Sequence, residues 1–237
     1  MNALEERWRR VLDGMAEAER HAGRPAGSVR LVAVSKFHPA SDIADLFRLG
    51  QRDFGENYVQ EARAKQQELA GMDIRWHAIG ALQSNKARDV AGRFFLLHTL
   101  ASESLARALV RRLPEGAVQD VLIEVNIGEE PQKAGVMPPD MPAFMEALLK
   151  GGLVSEDGPG LRLRGLMCLP PRCGEGEEAR PWFVRLRELR DSLARQYGLA
   201  LPELSMGMSG DYRQAIEEGA TIIRVGTEIF GPRPVKP

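Results

Sequence analysis

The chain has 237 residues, of which 43% are hydrophobic and 27% are charged, a composition typical of an ordinary globular protein. A formal net charge of −1, without a basic stripe, argues against a nucleic-acid-binding protein. No apolar stretch approaches the roughly 18 residues that span a bilayer, and the charged N-terminus lacks the apolar core of a signal peptide. We therefore expect a cytoplasmic protein that binds neither nucleic acid nor membrane.

The two cysteines, Cys168 and Cys173, lie close together in the sequence. No second Cys/His pair accompanies them at zinc-ligand spacing, so they are interpreted as free thiols of a reducing compartment. No metal site is expected.

In chain order, a predicted amphipathic helix at 2–22 comes first and is ended by Gly23 and Pro25. Short apolar runs then alternate with helix-like stretches to the end of the chain. Strands are predicted at 29–35, 52–54, 74–79, 94–99, 121–127, 163–169, 203–206 and 221–225. Helices are predicted at 41–49, 58–69, 84–91, 102–112, 139–149, 179–197 and 211–218.

Several predicted strands are nearly continuous apolar runs (LVAVS, VLIEV, TIIRV), which is typical of parallel strands covered on both faces. Eight strands that alternate with helices favour an α/β fold, a single (β/α)8 TIM barrel over 1–237 with an extra N-terminal helix. Ser41, Ser84 and Ser102 are predicted helix N-caps, and Gly50 and Gly219 lie where glycines end helices.

The polar, glycine-rich and ionisable residues of the chain follow the predicted strands. In a barrel the C-terminal ends of all strands meet at one face, where ligand sites are built. A ligand site is therefore predicted there, although a polar loop explains any one of these positions. They are Ser35-Lys36, Gly55–Asn57, His77 with Gly80, His98, Asn126, Met167, Ser205–Ser209 and Arg224–Thr227.

Lys36 directly follows an apolar strand. Loss of hydration lowers the pKa of a lysine and frees its amine as a nucleophile, the chemistry of a Schiff-base lysine. Taken alone this signal is weak, because a lysine that ends a strand is usually a solvated loop residue.

The runs SMGMSG (205–210) and RVGT (224–227) follow strands seven and eight, where barrels usually bind phosphate. Glycines allow close approach of an anion, and Ser209 is a candidate cap of the next helix. Two ordinary capped helix starts are the alternative. Asn57 is equally explained as a helix cap, and His77 and His98 as hydrogen-bonded histidines of the barrel.

Seven runs carry a resemblance to a known family. They are LVAVSK (31–36), GQRDFGENYVQE (50–61), IRWHAIGALQSNK (74–86), VLIEVNI (121–127), RLRGLM (162–167), LSMGMS (204–209) and TIIRVGTEIFGPR (221–233). In order and spacing they closely resemble the pyridoxal phosphate homeostasis protein family, over nearly the full chain. That family is similar to the barrel domain of alanine racemase without its second domain.

The resemblance implies pyridoxal 5′-phosphate (PLP) as cofactor and assigns roles by position. Lys36 would hold the cofactor as a Schiff base, Asn57 would lie against its ring, and Arg224 would face the ring nitrogen. Ser209, Gly226 and Thr227 would bind the phosphate, and His77 and Met208 would line the pocket.

Two positions depart from the family pattern. Phe37-His38 stands where members often have a polar residue and a second lysine, which puts any role of that lysine in cofactor exchange in doubt. Ala81 replaces a bulkier residue.

The resemblance further implies a monomeric protein that buffers PLP or delivers it to PLP-dependent apo-enzymes, without efficient catalysis. A racemase needs a second base, which alanine racemase-type enzymes take from an additional domain, and this domain is expected to be absent. The tyrosines Tyr58, Tyr197 and Tyr212 are the remaining candidates. The alternatives are a slow amino-acid racemase and a cofactor-free barrel that uses Lys36 on substrate carbonyls, as aldolases do.

Overall fold

A computed structural model describes residues 2–155, 158–171 and 176–232. Eight parallel strands form a closed barrel in sequence order, with β8 paired to β1. The predicted (β/α)8 fold is thereby confirmed, with strand bounds shifted by up to three residues. The strands are β1 Arg30–Val34, β2 Asp53–Glu56, β3 Arg75–Ala78, β4 Leu96–Leu100, β5 Val118–Val125, β6 Gly160–Cys168, β7 Glu203–Ser205 and β8 Ile222–Val225.

The helices surround the barrel, and the N-terminal one is the extra helix expected from the sequence. They are α1 Ala3–His21, α2 Ala40–Arg48, α3 Val59–Glu68, α4 Ala87–Val90, α5 Glu103–Val110, α6 Met141–Lys150, α7 Arg180–Tyr197, α8 Tyr212–Glu217 and α9 Thr227–Phe230. Short 3₁₀ turns lie at Ser84–Lys86, Pro138–Asp140 and Gly176–Ala179.

Helix α1 packs against α8, α9 and α2. Its apolar face buries Trp8, Val11 and Met15, and the Trp8 Nε1 donates to Gln51 Oε1 at 3.1 Å. Arg7 donates to the carbonyl oxygens of Ile229 at 2.7 Å and of Phe230 at 3.2 Å. These bonds join the first helix to α9, which follows the last strand.

The predicted helix caps are correct only in part. Ser102 Oγ accepts a hydrogen bond from Leu105 N at 3.2 Å and caps α5 as predicted. Ser41 lies inside α2, whose N-cap is Pro39, because that helix starts earlier than its polar residues suggest. Ser84 is the first residue of a 3₁₀ turn and caps nothing.

The barrel interior combines an apolar cluster with a polar one. The apolar cluster consists of Val32, Leu96, Leu122, Met167 and Ile222. A second, larger core fills the space between the strands and the helices.

Over the described ranges, no helix combines the length and apolar character needed to cross a membrane. No cluster of metal-ligating side chains occurs in the same part of the chain. Cys168 is a buried free thiol, and Cys173 lies outside the described residues.

Candidate functional site

A cavity of about 310 Å³ opens at the C-terminal ends of the strands. Residues that follow β1, β2, β3, β6, β7 and β8 line it, so the loops converge as the barrel topology predicts. Seven of the eight predicted site residues lie here: Lys36, Asn57, Met208, Ser209, Arg224, Gly226 and Thr227. Val34, His38, Ile79, Leu169 and Gly231 complete the lining and had not been assigned to the site from the sequence.

A larger cavity, of about 670 Å³, lies at the opposite end beside α1. Four of its five charged lining residues pair with one another: Arg75 Nη2 is 2.5 Å from Asp53 Oδ2, and Arg30 is within 3.8 Å of both Asp53 and Glu203. Because these charges are already paired, the smaller cavity is the better candidate for a ligand site.

The loop that carries Lys36 is held from outside the barrel by a buried ion cluster. Lys65 Nζ, on α3, lies 2.7 Å from each of three oxygens: Ser35 O, Glu56 Oε1 and Glu61 Oε1. Glu61 also accepts from Phe37 N at 2.6 Å, and Phe37 adopts a left-handed φ of 67°. We call Lys65, Glu56 and Glu61 the Lys65 cluster; it fixes the backbone on both sides of Lys36.

Burial raises the pKa of Glu56, and the nearby Lys65 ammonium only partly offsets this effect. The sequence analysis did not predict this cluster, because in the sequence Glu56 and Lys65 look like ordinary charged residues at a strand end and on a helix. Only the packing of α3 on β2 brings them together.

Asn57 projects a side-chain amide into the cavity region. Its Oδ1 is buried and has no hydrogen-bond partner among the described residues. It does not cap α3, whose N-cap is Tyr58. The segment that follows β3 packs tightly against Asn57, since a Cβ on Gly80 would lie 2.1 Å from the Asn57 carbonyl oxygen. An unsatisfied buried acceptor beside a cavity is a feature that a ligand can explain.

The loop after β7 makes a tight turn that brings Ser209 to the cavity. Gly207 has a φ of 94°, and a Cβ there would lie 2.6 Å from the Ala215 Cβ. Met208 N donates to Asp211 Oδ1 at 2.6 Å, and Asp211 is the N-cap residue of α8. Ser209 therefore precedes the cap position, and the prediction that it caps this helix is wrong.

The loop after β8 places Thr227 at the start of α9, with Gly226 as its N-cap residue. In this four-residue helix, Ile229 N and Phe230 N both donate to Gly226 O at 2.9 Å. The hydroxyls of Ser209 and Thr227 and the backbone at Gly226 form a polar rim of the cavity that suits an anion.

Arg224 is a buried cation at the cavity wall. Its Nη1 donates to Ser205 Oγ at 2.6 Å and its Nη2 to Cys168 O at 2.9 Å. Burial lowers its pKa, yet an arginine remains charged in proteins.

His77 does not line the cavity, in contrast to the prediction from the resemblance. It is fully buried inside the barrel, where its Nε2 lies 2.9 Å from Asp53 Oδ1 and its Nδ1 lies 2.9 Å from His98 Nε2. His98 Nδ1 in turn lies 2.8 Å from Ser205 Oγ. Both are hydrogen-bonded histidines of the barrel, the alternative that the sequence had left open.

We call Asp53, His77, His98 and Ser205 the polar column; it runs through the barrel and ends at Arg224. Burial lowers the pKa of both histidines, that of His98 well below 6.5. The column links strands that are distant in sequence, so no local pattern could have revealed it.

His38 lines the cavity where the resemblance places a second lysine. Its ring stacks on Phe230 with centroids 4.9 Å apart, and burial lowers its pKa. It is therefore a neutral imidazole near pH 7.

None of the three tyrosines lines this cavity. Tyr58 packs against Phe37 with ring centroids 5.4 Å apart, and Tyr197 OH donates to Pro142 O. Tyr212 is buried outside the cavity. The site therefore offers a lysine amine, an arginine, two hydroxyls and an amide, a set that suits a small anionic ligand with a carbonyl group.

Residues 10–234 match the alanine racemase N-terminal domain family, the class that this barrel with a lysine after β1 defines. Within that class the chain belongs to the pyridoxal phosphate homeostasis protein family. It is 44% identical over 234 residues to the "Pyridoxal phosphate homeostasis protein" of Aquifex aeolicus, covering 98% of this chain and 99% of that protein. The family expected from the sequence is thereby confirmed.

Solved structures show the same relationship. PipY of Synechococcus elongatus, determined with PLP bound, is 39% identical with a TM-score of 0.76, covering 92% of this chain and all of that chain. Alanine racemase from Corynebacterium glutamicum is 20% identical with a TM-score of 0.67, covering 94% of this chain and 62% of that chain. The latter likeness concerns the fold alone.

Proposed function

We propose that the cavity binds pyridoxal 5′-phosphate and that the protein buffers this cofactor and delivers it to PLP-dependent apo-enzymes. The observation that carries the proposal is the PLP-bound structure of PipY, combined with the convergence of Lys36, Arg224, Ser209 and Thr227 on one cavity. A monomeric protein in the cytoplasm, where a thiol such as that of Cys168 stays reduced, is part of the same proposal.

The residues present fit this cofactor. A volume of about 310 Å³ lies at the small end of the range for ligand pockets, as a single-ring cofactor requires. Bound PLP supplies an aldehyde that condenses with a primary amine, and Lys36 is the lysine in the cavity lining. The unsatisfied Oδ1 of Asn57 offers a further polar contact beside the ring.

The remaining residues hold the cofactor in one orientation. The hydroxyls of Ser209 and Thr227 and the backbone at Gly226 would bind the phosphate. Arg224 would direct N–H donors at the ring nitrogen. Since arginine keeps its proton, a ring nitrogen that faced it would stay unprotonated, which would weaken the ring as an electron sink.

The same features favour storage and delivery over racemisation. Racemisation needs a proton-transfer group on each face of the substrate, and the lining contains one lysine but no tyrosine. Neutral His38 cannot replace a second lysine as a carrier of the aldehyde, because an imidazole is not a primary amine.

The anchor is tested by the visible absorption spectrum of the purified protein with PLP, followed by borohydride reduction and peptide mapping. The reduced pyridoxyl group is expected on Lys36, and Lys36→Ala should abolish it. Lys150→Ala, which removes an exposed lysine of α6, is the control and should leave the label unchanged. A label on another lysine, or a protein that stays colourless with PLP, would overturn the proposal.

The phosphate contacts are tested with the double variant Ser209→Ala/Thr227→Ala. It should weaken binding of PLP far more than binding of unphosphorylated pyridoxal, as measured by fluorescence titration. Equal weakening of both would show that the phosphate lies elsewhere.

Catalysis is tested by incubating the PLP-loaded protein with L-alanine or D-alanine and separating the enantiomers by chiral chromatography. Each enantiomer should remain unchanged over hours. Multiple turnovers to the opposite enantiomer would establish a racemase instead.

A further inference from the structure

We propose that the hydrogen bonds of the polar column all run in one direction, from Arg224 to Asp53. This fixed arrangement of the protons positions the Arg224 guanidinium to face the cofactor ring. The inference rests on the proposed function for what Arg224 faces. The order of the protons rests on the hydrogen-bond geometry and on the charges of the two ends of the column.

The column is a continuous path through the buried interior of the barrel. His77, His98 and Ser205 are completely buried, and Asp53 and Arg224 are each 4% exposed. The link from His98 on β4 to Ser205 on β7 joins strands on opposite sides of the barrel. Every contact along it lies between 2.6 and 2.9 Å.

The two ends of the column have opposite and fixed roles. Arg224 carries only donors. Although burial opposes it, hydrogen bonds from His77 and Arg75 hold the pKa of Asp53 below 3.8, so near pH 7 this carboxylate carries only acceptors. A series of hydrogen bonds that begins at a group with only donors and ends at a group with only acceptors can run in one direction only.

That direction fixes both imidazole tautomers. With Asp53 as acceptor, neutral His77 carries its proton on Nε2 and leaves Nδ1 as an acceptor for His98 Nε2–H. His98 Nδ1 is then an acceptor for the Ser205 hydroxyl, whose oxygen accepts from Arg224 Nη1. His77, His98 and Ser205 each donate once and accept once along the column, between Arg224 as the terminal donor and Asp53 as the terminal acceptor.

Hydrogen bonds that ran in the opposite direction, from His77 through His98 to Ser205, would require a second proton on His77. With both nitrogens protonated, His77 would donate to His98, and His98 Nδ1–H would point at Ser205. Burial lowers the pKa of His77, and the nearby cations Arg30 and Arg75 lower it further, although Asp53 opposes them. At the other end, burial lowers the pKa of His98, and His77 and Arg224 lower it further. Asp211 and Glu124 are the acidic groups that act on Arg224.

The fixed order matters for Arg224 because a serine hydroxyl that donates to His98 keeps its lone pairs directed at the guanidinium. Ser205 and the Cys168 carbonyl then bind two guanidinium nitrogens from one side. The guanidinium is thereby prevented from turning, and its remaining donors keep one direction. Ser205 and His98 are thus positioning residues, not groups that touch the cofactor.

The proton order can be read directly from ¹⁵N–¹H correlation spectra of the histidine rings of the apo-protein at pH 7. The chain has four histidines, so His21 and His38 serve as references. His77 and His98 should both appear as neutral Nε2–H tautomers. A charged ring or an Nδ1–H tautomer at either position would overturn the proposal.

The variant Asp53→Ala removes the terminal acceptor and leaves Arg30 and Arg75 as donors at that end. Both histidines should shift toward the Nδ1–H tautomer. Asp120→Ala is a matched control, since Asp120 forms a similar two-bond pair with Arg162 on β6 but contacts no histidine in the described residues. Unchanged tautomers in folded Asp53→Ala would refute the fixed order.

The effect on the cofactor is tested with Ser205→Ala, which disconnects Arg224 from the column. PLP affinity should fall on the order of tenfold, the loss of one hydrogen bond to a charged group, and the visible absorption maximum should shift. Ser205→Thr keeps the hydroxyl and should restore the spectrum. Unchanged affinity and spectrum in Ser205→Ala would refute the positioning role. If PLP does not bind at all, the proposed function fails, whereas the tautomers remain a separate test of the column.

Discussion

Lys65→Met is the substitution that most directly tests how the Lys36 loop is held. It removes a buried ammonium that lies 2.7 Å from Ser35 O, Glu56 Oε1 and Glu61 Oε1. Methionine has a similar length, so little volume is lost. The Glu56 carboxylate, which is 2% exposed, is left in the interior without its cation.

Breaking a buried ion pair from one side costs about 3–5 kcal/mol in the free energy of unfolding. For a domain of this size each kcal/mol lowers the melting temperature by roughly 2–4 °C, so a loss of roughly 6–20 °C is expected. Urea titration at pH 7 gives the free energy, and differential scanning calorimetry gives the melting temperature.

The loss should depend on pH in a defined direction. Burial already raises the pKa of Glu56 above 4.5, and removal of Lys65 raises it further. A carboxyl group whose folded-state pKa is raised favours folding only while it is protonated, so its cost grows as the pH rises above about 4.5. The variant should therefore approach the parent protein in stability near pH 5 and fall behind it at pH 7–8.

Two controls separate this explanation from general damage. Lys150→Met removes an exposed lysine that pairs with Glu146 and should leave the stability unchanged. Lys65→Met/Glu56→Gln replaces the stranded carboxylate with a neutral amide and should recover much of the loss at pH 7. A destabilisation that is equal at pH 5 and pH 8, or that the second substitution does not relieve, would refute the reasoning.

Three further predictions concern the site and its surroundings. Gly80→Ala places a Cβ 2.1 Å from the Asn57 carbonyl oxygen, so calorimetry should show a destabilisation of about 1–3 kcal/mol and titration a weaker affinity for PLP. Burial raises the pKa of Cys168 to about 12, so mass spectrometry should find it unmodified by iodoacetamide in the native protein at pH 8 and modified after unfolding. Ser102→Ala removes the N-cap of α5 and should cost about 1 kcal/mol in urea titration, with no change in PLP affinity.

The fold was accessible from the sequence because several strands are compact apolar runs. LVAVS, VLIEV and TIIRV mark β1, β5 and β8 without any knowledge of their neighbours. Helix starts were less accessible, because Pro39, not Ser41, is the N-cap residue of α2. Capping depends on the backbone geometry of one residue, which a preference for serine does not determine.

The cavity lining could likewise be predicted from the sequence, because the barrel topology alone brings the residues that follow the strands to one face of the barrel. The position of His77 could not be inferred in this way. A residue inside a strand points into the barrel or out of it by alternation, and its depth depends on the register of the neighbouring strands. His77 lies beside Leu96 in the pairing of β3 with β4, below the strand ends that line the cavity.

Lys36 and Arg224, the two residues on which the cofactor proposal most depends, are held by two different hydrogen-bond networks, one outside the barrel and one inside it. Lys36 belongs to a loop that the Lys65 cluster holds from outside, between β2 and α3. Arg224 is held from inside by the polar column. The two systems share no hydrogen bond among the described residues, because alternate residues of β2 belong to each: Asp53 faces inward and Glu56 outward. Cofactor attachment and ring orientation therefore depend on separate sets of residues, and a substitution that loosens one should leave the geometry of the other intact.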